Sequence, residues 1–191
     1  MIPRLVVASK NPDKIGEIEG VLDGTGLAGE IVSGLDWPDV DETGSTLEEN
    51  ALLKARVVVE ATGLPVLADD TGLEVAALGG APGVHTARYA GDSARYADNV
   101  DKLIAAMAGV TDRRARFRTV VALAFPDGVE MTAEGLLEGE ITELPRGEGG
   151  FGYDPVFEFG GQTLAEMGQE EKNRLSHRAR AIRALVESLG L

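Results

Sequence analysis

An apolar strand followed at once by a capped helix opens the chain, and this unit constrains the fold more than any other feature. Ile2–Ala8 is a short apolar run with β-branched residues, typical of a buried strand. Asn11, Pro12 and Asp13 then match the start of a helix: Asn caps it, Pro fits its first turn, and Asp suits the positive end of its dipole. The pattern predicts a strand, a tight turn and a helix that reaches about Leu22.

The same alternation of strands and helices continues along the 191 residues. A second helix is predicted to begin at the capping box Thr46–Glu49, and two further helices are predicted over Asp98–Met107 and Asn173–Leu189. The predicted strands are Pro65–Ala68, Arg116–Phe125 and Val129–Glu134. This order predicts an α/β fold with a mixed, twisted sheet flanked by helices. At about 150 residues per domain, the length predicts a single domain over residues 1–191.

Composition excludes several classes of protein. With no cysteine, the chain has no disulfide, thiolate metal site or cysteine nucleophile. Its net charge of −14 opposes binding to nucleic acid phosphates. No apolar run approaches the roughly 20 residues of a membrane helix, and the N-terminal apolar stretch is too short for a signal peptide. We expect a soluble, cytoplasmic protein that binds neither nucleic acid nor membrane.

The turn between the first strand and the first helix is a candidate phosphate site. The unpaired amides and positive dipole end of a helix N-terminus attract anions. The segment also supplies hydroxyl, amide and ammonium groups; it comprises Ser9, Lys10, Asn11, Pro12, Asp13 and Lys14. The alternative is that Asn11 only caps the helix and the lysines are solvated.

Two adjacent acids, Asp69 and Asp70, follow the apolar strand Pro65–Ala68 and precede Thr71 and Gly72. Ligands of α/β sheets gather where strands end. The acidic stretch Asp39–Glu42 supplies further oxygen ligands, which suit magnesium or manganese rather than zinc. The alternative is ordinary turn chemistry, because Asp and Gly are common in turns.

Two later segments have the composition of a ligand site. In Gly147–Asp154, glycines let the backbone approach a flat ligand while Phe151 or Tyr153 stacks on it. The alternative is a glycine-rich hairpin whose aromatics face the core. Lys172–Arg178 begins a basic cluster, for which the alternative is the solvated outer face of a helix.

Taken in order, these segments resemble the inosine/xanthosine triphosphate pyrophosphatase family. The resemblance spans almost the whole chain and is carried by Ser9–Lys14, Thr46–Ala55, Ala68–Leu73, Gly79–Gly83, Ala87–Tyr89, Gly149–Pro155, Glu171-Lys172 and Ser176–Arg178. Each motif is weak alone, whereas the ordered set is specific. One departure is Lys10, where many members have glycine.

The resemblance implies a two-lobed α/β fold with a central cleft, usually as a homodimer. It implies hydrolysis of non-standard purine nucleotides (dITP, ITP, XTP and dXTP) between the α and β phosphates. The products are a monophosphate and pyrophosphate, and the cofactor is Mg²⁺, with Mn²⁺ as the alternative. Such an enzyme cleanses the nucleotide pool.

The resemblance also implies roles for individual residues. Asp70 is the proton acceptor and a metal ligand, and Asp41 or Glu42 is the second ligand. Thr71 contacts the substrate. The remaining residues bind substrate: Ser9–Lys14 and Lys172 hold the triphosphate, while Phe151, Gly152, Tyr153, Asp154, His177 and Arg178 hold the base.

Base choice follows from the direction of hydrogen bonds. Hypoxanthine and xanthine present a 6-keto acceptor to donors such as His177, Arg178 or backbone amides, whereas adenine presents an amino donor there. Two alternatives are a pyrophosphatase for modified pyrimidine nucleotides and a non-catalytic nucleotide sensor. Asp70 argues against the sensor, because binding alone needs no general base.

Overall fold

The computed structural model describes residues 1–191 and confirms the mixed α/β class. Five helices and eight strands follow one another as β1 Ile2–Val7, α1 Pro12–Leu22, β2 Ala28–Val32, α2 Leu47–Thr62, β3 Val66–Val75, β4 Pro82–Gly83, α3 Tyr96–Ala106, β5 Arg114–Ala124, β6 Glu130–Ile141, β7 Phe157–Phe159, β8 Gln162–Thr163, α4 Gln169–Leu175 and α5 His177–Ser188. The strand order is β2-β1-β3-β5-β6-β7-β8, and β4 pairs with β3. None of the helices combines the length and the apolar character that crossing a bilayer requires.

The chain divides into two compact units. Unit 1 comprises residues 1–71, 119–135 and 177–191, and unit 2 comprises residues 72–118 and 136–176. The long strands β3, β5 and β6 therefore contribute residues to both units.

Unit 1 contains a parallel portion of the sheet. β1 pairs in parallel with β2, where Leu5 faces Ile31, and with β3, where Val6 faces Val66. Its core packs apolar residues of β1, β3 and β5 with those of α1 and α5. Leu5, Val6 and Val7 are buried in succession, which explains why the second half of β1 is continuously apolar rather than alternating.

Both predicted helix starts in unit 1 are confirmed. The Asn11 side chain accepts a hydrogen bond from the Asp13 amide at 2.9 Å, and Pro12 occupies the first turn of α1. At α2, Thr46 and Glu49 form the reciprocal capping box. Each cap satisfies amides that a helix leaves unpaired at its start.

Unit 2 has a core of its own, built from apolar residues of β3, α3, β5, β6 and the segment around β7. The rings of Phe117 and Phe157 pack with their centroids 4.6 Å apart. Within this unit, β4 pairs antiparallel with β3 and β8 antiparallel with β7.

Three predicted boundaries were wrong, and one of them is the end of β6, which lies at Ile141 rather than at Glu134. β3 does not end before Asp69 but continues through Gly72 to Val75, because the two acids pair with cations from neighbouring elements and need no turn. The predicted helix Asn173–Leu189 is two helices. Ser176 has extended backbone (φ −62°, ψ 157°), so α4 ends before it and α5 begins at His177.

The start of α5 lies directly against β6 at Gly135. A Cβ at this position would lie 2.1 Å from the carbonyl oxygen of His177 and 2.3 Å from the amide nitrogen of Ala181. Both atoms belong to backbone, so neither moves aside cheaply. Only glycine therefore allows this approach.

We expect Gly135→Ala to lower the free energy of unfolding by at least about 1–3 kcal/mol, the usual cost of overpacking a core. Gly16→Ala is the matched control, since Gly16 lies in α1 with no atom within 4 Å of its added Cβ; it should stabilise by about 0.5–1 kcal/mol. Urea denaturation measures both. Equal stabilities of Gly135→Ala and the parent would contradict the close approach.

Candidate active site

Asp69 and Asp70 are buried next to each other in β3 and therefore face opposite sides of the sheet. Asp70 is directed at α2, where it meets Asn50 and Lys54. Asp69 is directed at the other face, where it meets Lys14 and Arg178. One strand thus places two carboxylates in two separate environments.

Asp70 belongs to a cluster that two carboxylates share with one lysine. Asn50 Nδ2 donates to Asp70 Oδ2 at 3.2 Å, and Lys54 Nζ donates to Asp70 Oδ1 at 3.2 Å and to Glu42 Oε1 at 3.0 Å. Asn50 and Lys54 are four residues apart in α2, which puts them on one face of the helix. Asn50 also accepts from the Gly44 amide at 2.8 Å, which ties the loop of Glu42 to α2.

Burial raises the pKa of Asp70, and Glu42 and Asp69 raise it further, against the opposing effect of Lys54. Burial works against the charge of Lys54, but Asp70, Asp69 and Glu42 outweigh it and raise the lysine pKa. A carboxyl group with a raised pKa binds a proton more readily than an ordinary one. Such perturbed groups are typical of catalytic sites.

Asp69 has the opposite electrostatics. Arg178 Nε donates to its Oδ2 at 3.1 Å, and Lys14 Nζ lies 3.5 Å from the same oxygen. Burial alone would raise the pKa of Asp69, but Lys14 and Arg178 hold it far below its usual range. Burial lowers the pKa of Lys14, with a smaller contribution from the positive charges of Lys54 and Arg178. Asp69 is therefore a fixed negative charge.

Each guanidinium nitrogen of Arg178 donates a hydrogen bond inside unit 1. It is 2% exposed and donates to Asp69, Glu17 and the Thr71 hydroxyl, the last at 3.2 Å. These partners come from β3 and α1, so Arg178 fixes α5 to both. The guanidinium predicted to bind the base serves the protein's own interior.

His177, at the start of α5, contacts a threonine of β5. Its Nδ1 lies 2.5 Å from Thr119 Oγ1, which lies 2.7 Å from Thr71 Oγ1. His177 is 4% exposed and Thr119 fully buried. The break at Ser176 places the ring at this position.

The Ser9–Lys14 turn has the geometry of a capped helix start. Ser9 Oγ accepts from the Asn11 amide at 3.2 Å, and the side chain of Lys14 enters the Asp69 cluster. Lys10 is exposed and pairs with Asp39 at 2.6 Å. The segment thus combines a helix N-terminus with a lysine held beside Asp69.

The predicted residues of unit 2 come together around Asp154, which is buried. Asp154 Oδ2 accepts from the Phe151 amide at 2.8 Å and from Lys172 Nζ at 2.5 Å. Lys172 Nζ also lies 4.8 Å from the centre of the Phe151 ring. Gly152 has φ +62°, and the Tyr153 hydroxyl donates to the carbonyl of Thr86 at 3.0 Å. Lys172, predicted to hold phosphate, here contacts residues predicted to hold the base.

Sequence reasoning missed four partners, Glu17, Asn50, Lys54 and Thr119. The spacing of Asn50 and Lys54 after the capping box was the only available signal, because both lie inside the quoted segment Thr46–Ala55.

The residues around Asp70 suit a hard divalent cation. The structure has no group of three or more His, Cys, Asp or Glu side chains arranged to hold a metal. Glu42 and Asp70 nevertheless converge on one cation, the Lys54 ammonium group, whereas Asp41 contributes its backbone carbonyl to Thr43. Mg²⁺ in proteins typically takes one or two carboxylates and completes its shell with water and substrate phosphate. Of the two predicted second ligands, Glu42 is the one placed to share an ion with Asp70.

Fold and site together define a mixed α/β protein with a buried cluster of carboxylates and lysines in unit 1. The model of the Ham1 family matches residues 5–188, so the chain belongs to the Ham1 family. It is 50% identical over 183 residues to a dITP/XTP pyrophosphatase of Syntrophobacter fumaroxidans, covering 93% of this chain and 78% of the relative. It is 48% identical to one of Streptomyces coelicolor, covering 96% and 95%.

Solved structures give the same assignment. A HAM1 protein from Coxiella burnetii superposes with a TM-score of 0.87 at 41% identity, over 99% of both chains. A nucleoside-triphosphatase, also described as a dITP/XTP pyrophosphatase, from Mycobacterium abscessus superposes with a TM-score of 0.75 at 42% identity, over 97% of this chain and 99% of that one. The resemblance seen in the sequence is confirmed.

We expect Arg178→Met to destabilise the protein by about 3–5 kcal/mol, because it removes the cation that the buried carboxylates of Asp69 and Glu17 share. Arg95→Ala is the control: Arg95 pairs with Asp98 at the surface with its side chain 81% exposed, and such pairs contribute at most about 1 kcal/mol. Thermal and urea unfolding measure both. Similar losses for the two variants would show that the network does not hold the fold.

Proposed function

We propose that this Ham1-family protein hydrolyses dITP, ITP, XTP and dXTP to the monophosphate and pyrophosphate, and so removes non-standard purines from the nucleotide pool. The names of relatives that are about half identical over more than nine-tenths of the chain support this. The observation that carries the proposal is the cluster of Asp70, Lys54 and Glu42.

Asp70 is the proton acceptor in this proposal. Water forms a new bond to phosphorus, its proton passes to the Asp70 carboxylate, and the bond between the α and β phosphates breaks to release pyrophosphate. Burial and neighbouring acids hold the pKa of Asp70 above its ordinary value, which makes its carboxylate a stronger base. Asn50 and Lys54 hold this carboxylate in place.

Asp70 and Glu42 would hold Mg²⁺, with Mn²⁺ as the alternative ion. When bound, such an ion neutralises phosphate charge and polarises the phosphoryl oxygen. The chain's own contribution is to bring the two carboxylates together, through the contacts of Lys54 to both and of Asn50 to the Glu42 loop. We assign no role to Asp41.

The Ser9–Lys14 segment binds the triphosphate in this proposal. The first amides of α1 and the positive end of its dipole favour an anion, and Lys14 adds a charge beside Asp69. Thr71 contacts the substrate next to Asp70. Because the chain is strongly acidic, these local cations decide where a triphosphate binds.

Phe151, Gly152, Tyr153 and Asp154 of unit 2 bind the purine base, together with Lys172. The contacts among Phe151, Asp154 and Lys172 support this grouping. His177 is the proposed donor for the 6-keto oxygen. Arg178 stays in the proposal as the residue that positions Asp69 and Thr71.

We further propose a cytoplasmic homodimer that does not bind nucleic acid. The dimer and the location rest on the family resemblance alone. The net charge of −14 supports the proposal that the protein does not bind nucleic acid, because it repels a phosphate backbone.

A panel of triphosphates with Mg²⁺ tests the function directly. We expect pyrophosphate from dITP and XTP and little from dATP, dGTP, TTP or methylated UTP, as measured by phosphate-product analysis. Asp70→Asn should lower turnover of dITP by about 10²–10⁴-fold, the usual contribution of a general base, while dITP still binds.

Asp127→Asn controls for the lost charge, because Asp127 is exposed in the turn before β6; this variant should keep parental activity. Preferential hydrolysis of methylated UTP would favour the pyrimidine enzyme, and binding of dITP without turnover by the parent would favour the sensor. Parental turnover by Asp70→Asn would contradict the role of Asp70.

Two lysine variants separate phosphate binding from base binding. Lys14→Ala should weaken dITP binding by about 10- to 100-fold, the effect of a lost charged hydrogen bond, and leave deoxyinosine binding almost unchanged. Lys172→Ala should weaken both ligands equally, because Lys172 contacts Asp154 and Phe151.

Isothermal titration measures both affinities, with Lys102→Ala as the control, since the exposed Lys102 bonds the carbonyl of Tyr89. A loss confined to dITP in Lys172→Ala would instead support the prediction that Lys172 holds the triphosphate.

A further inference from the structure

A continuous line of hydrogen bonds crosses the interior of unit 1 and ends on His177. Arg178 Nη2 donates to Thr71 Oγ1 at 3.2 Å, Thr71 Oγ1 lies 2.7 Å from Thr119 Oγ1, and Thr119 Oγ1 lies 2.5 Å from His177 Nδ1. Thr119, in the middle of β5, was not among the residues that sequence patterns indicated. It is fully buried, so no water competes for its hydroxyl.

The proton order along this line follows from its first member. A guanidinium group only donates, so Thr71 accepts from Arg178 and has a single proton of its own to give. Thr71 has two acceptors in reach, Thr119 at 2.7 Å and Asp69 Oδ2 at 3.3 Å. Asp69 Oδ2 already accepts from Arg178 at 3.1 Å. Arg178 and Lys14 already serve Asp69 Oδ2, so the proton order that we propose places the Thr71 proton on the shorter contact, to Thr119.

Thr119 then has one direction left for its own proton. Its oxygen accepts from Thr71, so its hydrogen points at His177 Nδ1, which accepts it. A neutral imidazole that accepts at one ring nitrogen carries its proton on the other. With this proton order, the line of threonines selects the His177 tautomer that is protonated at Nε2.

We propose that Thr119 is a positioning residue that fixes this tautomer, so that His177 presents an Nε2–H donor to the 6-keto oxygen of the purine. The inference rests on the proposed function and deepens it by naming what sets its base preference. Of the two donors predicted in this segment, Arg178 is buried and donates from each guanidinium nitrogen to Asp69, Glu17 or Thr71. His177 is the donor that Thr119 orients.

The chemical consequence is a preference by hydrogen-bond direction. An Nε2–H group matches the carbonyl of hypoxanthine or xanthine and opposes the amino group of adenine, where two donors would meet. Sites that read a polar group by hydrogen bonding reject the mismatched analogue strongly. If Nδ1 carried the proton, the ring would present an acceptor and the preference would turn towards adenine.

Nitrogen NMR of ¹⁵N-histidine-labelled protein reads the tautomer without any substrate. We expect the parent and Thr119→Ser to show His177 protonated at Nε2, since both keep the hydroxyl. Thr119→Val, which preserves the shape and removes the hydroxyl, should lose this tautomer or mix the two. A parent with its proton on Nδ1 would overturn the proposal, whatever the variants do.

Kinetics with dITP and dATP then test the effect on substrate choice. Thr119→Val should lower the ratio of kcat/KM for dITP over dATP by about 10- to 100-fold, the effect of one mispaired buried hydrogen bond. Thr119→Ser should keep the parental ratio. Thr62→Val is the matched control in unit 1, because it removes a threonine hydroxyl that donates elsewhere, to the carbonyl of Val58 at 2.7 Å; its ratio should not change.

A merely structural role for Thr119 would lower activity on both substrates and leave their ratio unchanged, and that result would overturn the proposal. In a His177→Ala background, Thr119→Val should have no further effect on the ratio; an additive loss would also contradict it. Failure of the proposed function is distinct: the parent would not hydrolyse dITP, while the NMR measurement would still report the tautomer.

Discussion

Two neighbouring carboxylates buried in one strand are the constraint on which unit 1 depends. Burying an ionised carboxylate costs several kcal/mol unless a cation and hydrogen bonds compensate it. β3 alternates, so Asp69 and Asp70 cannot share one partner and each requires its own. Arg178 and Lys14 compensate the charge of Asp69, and Lys54 compensates that of Asp70. The helices that carry these cations are thereby fixed on their respective faces of the strand.

The unequal pairing gives the two acids different properties. Asp69 meets two cations, and its pKa lies far below the usual range, so it stays charged and structural. Asp70 shares one lysine with Glu42, and burial raises its pKa, which suits it to accept a proton. Pairs of titratable groups whose environments separate their pKa values are a recurring basis for acid–base roles. The difference arises from the side of the sheet each residue faces, since the chemical groups are identical.

The sequence predicted what local chemistry determines and missed what distant contacts determine. The caps at Asn11 and Thr46 are local, and both were confirmed. The path of β3 through Asp69–Gly72 depends on cations up to 109 residues away, so local preference for a turn was misleading. The break at Ser176 had no signal in the periodicity of the helix. The candidate Asp70 was found by position and by resemblance, whereas its partner Lys54 needed the packing of α2 on β3.

Arg178 was singled out by a sequence motif, but the motif alone did not indicate which residues its side chain contacts. The family resemblance placed it beside His177 among the residues expected to bind the base. The break at Ser176 starts α5 at His177, so the two side chains leave successive positions of its first turn in different directions. The Arg178 side chain contacts the carboxylates of Asp69 in β3 and Glu17 in α1. The His177 side chain contacts Thr119 in β5. Thr71 and Thr119 connect these two side chains, so the Arg178 cation that holds the fold is linked by hydrogen bonds to the ring for which we propose base recognition.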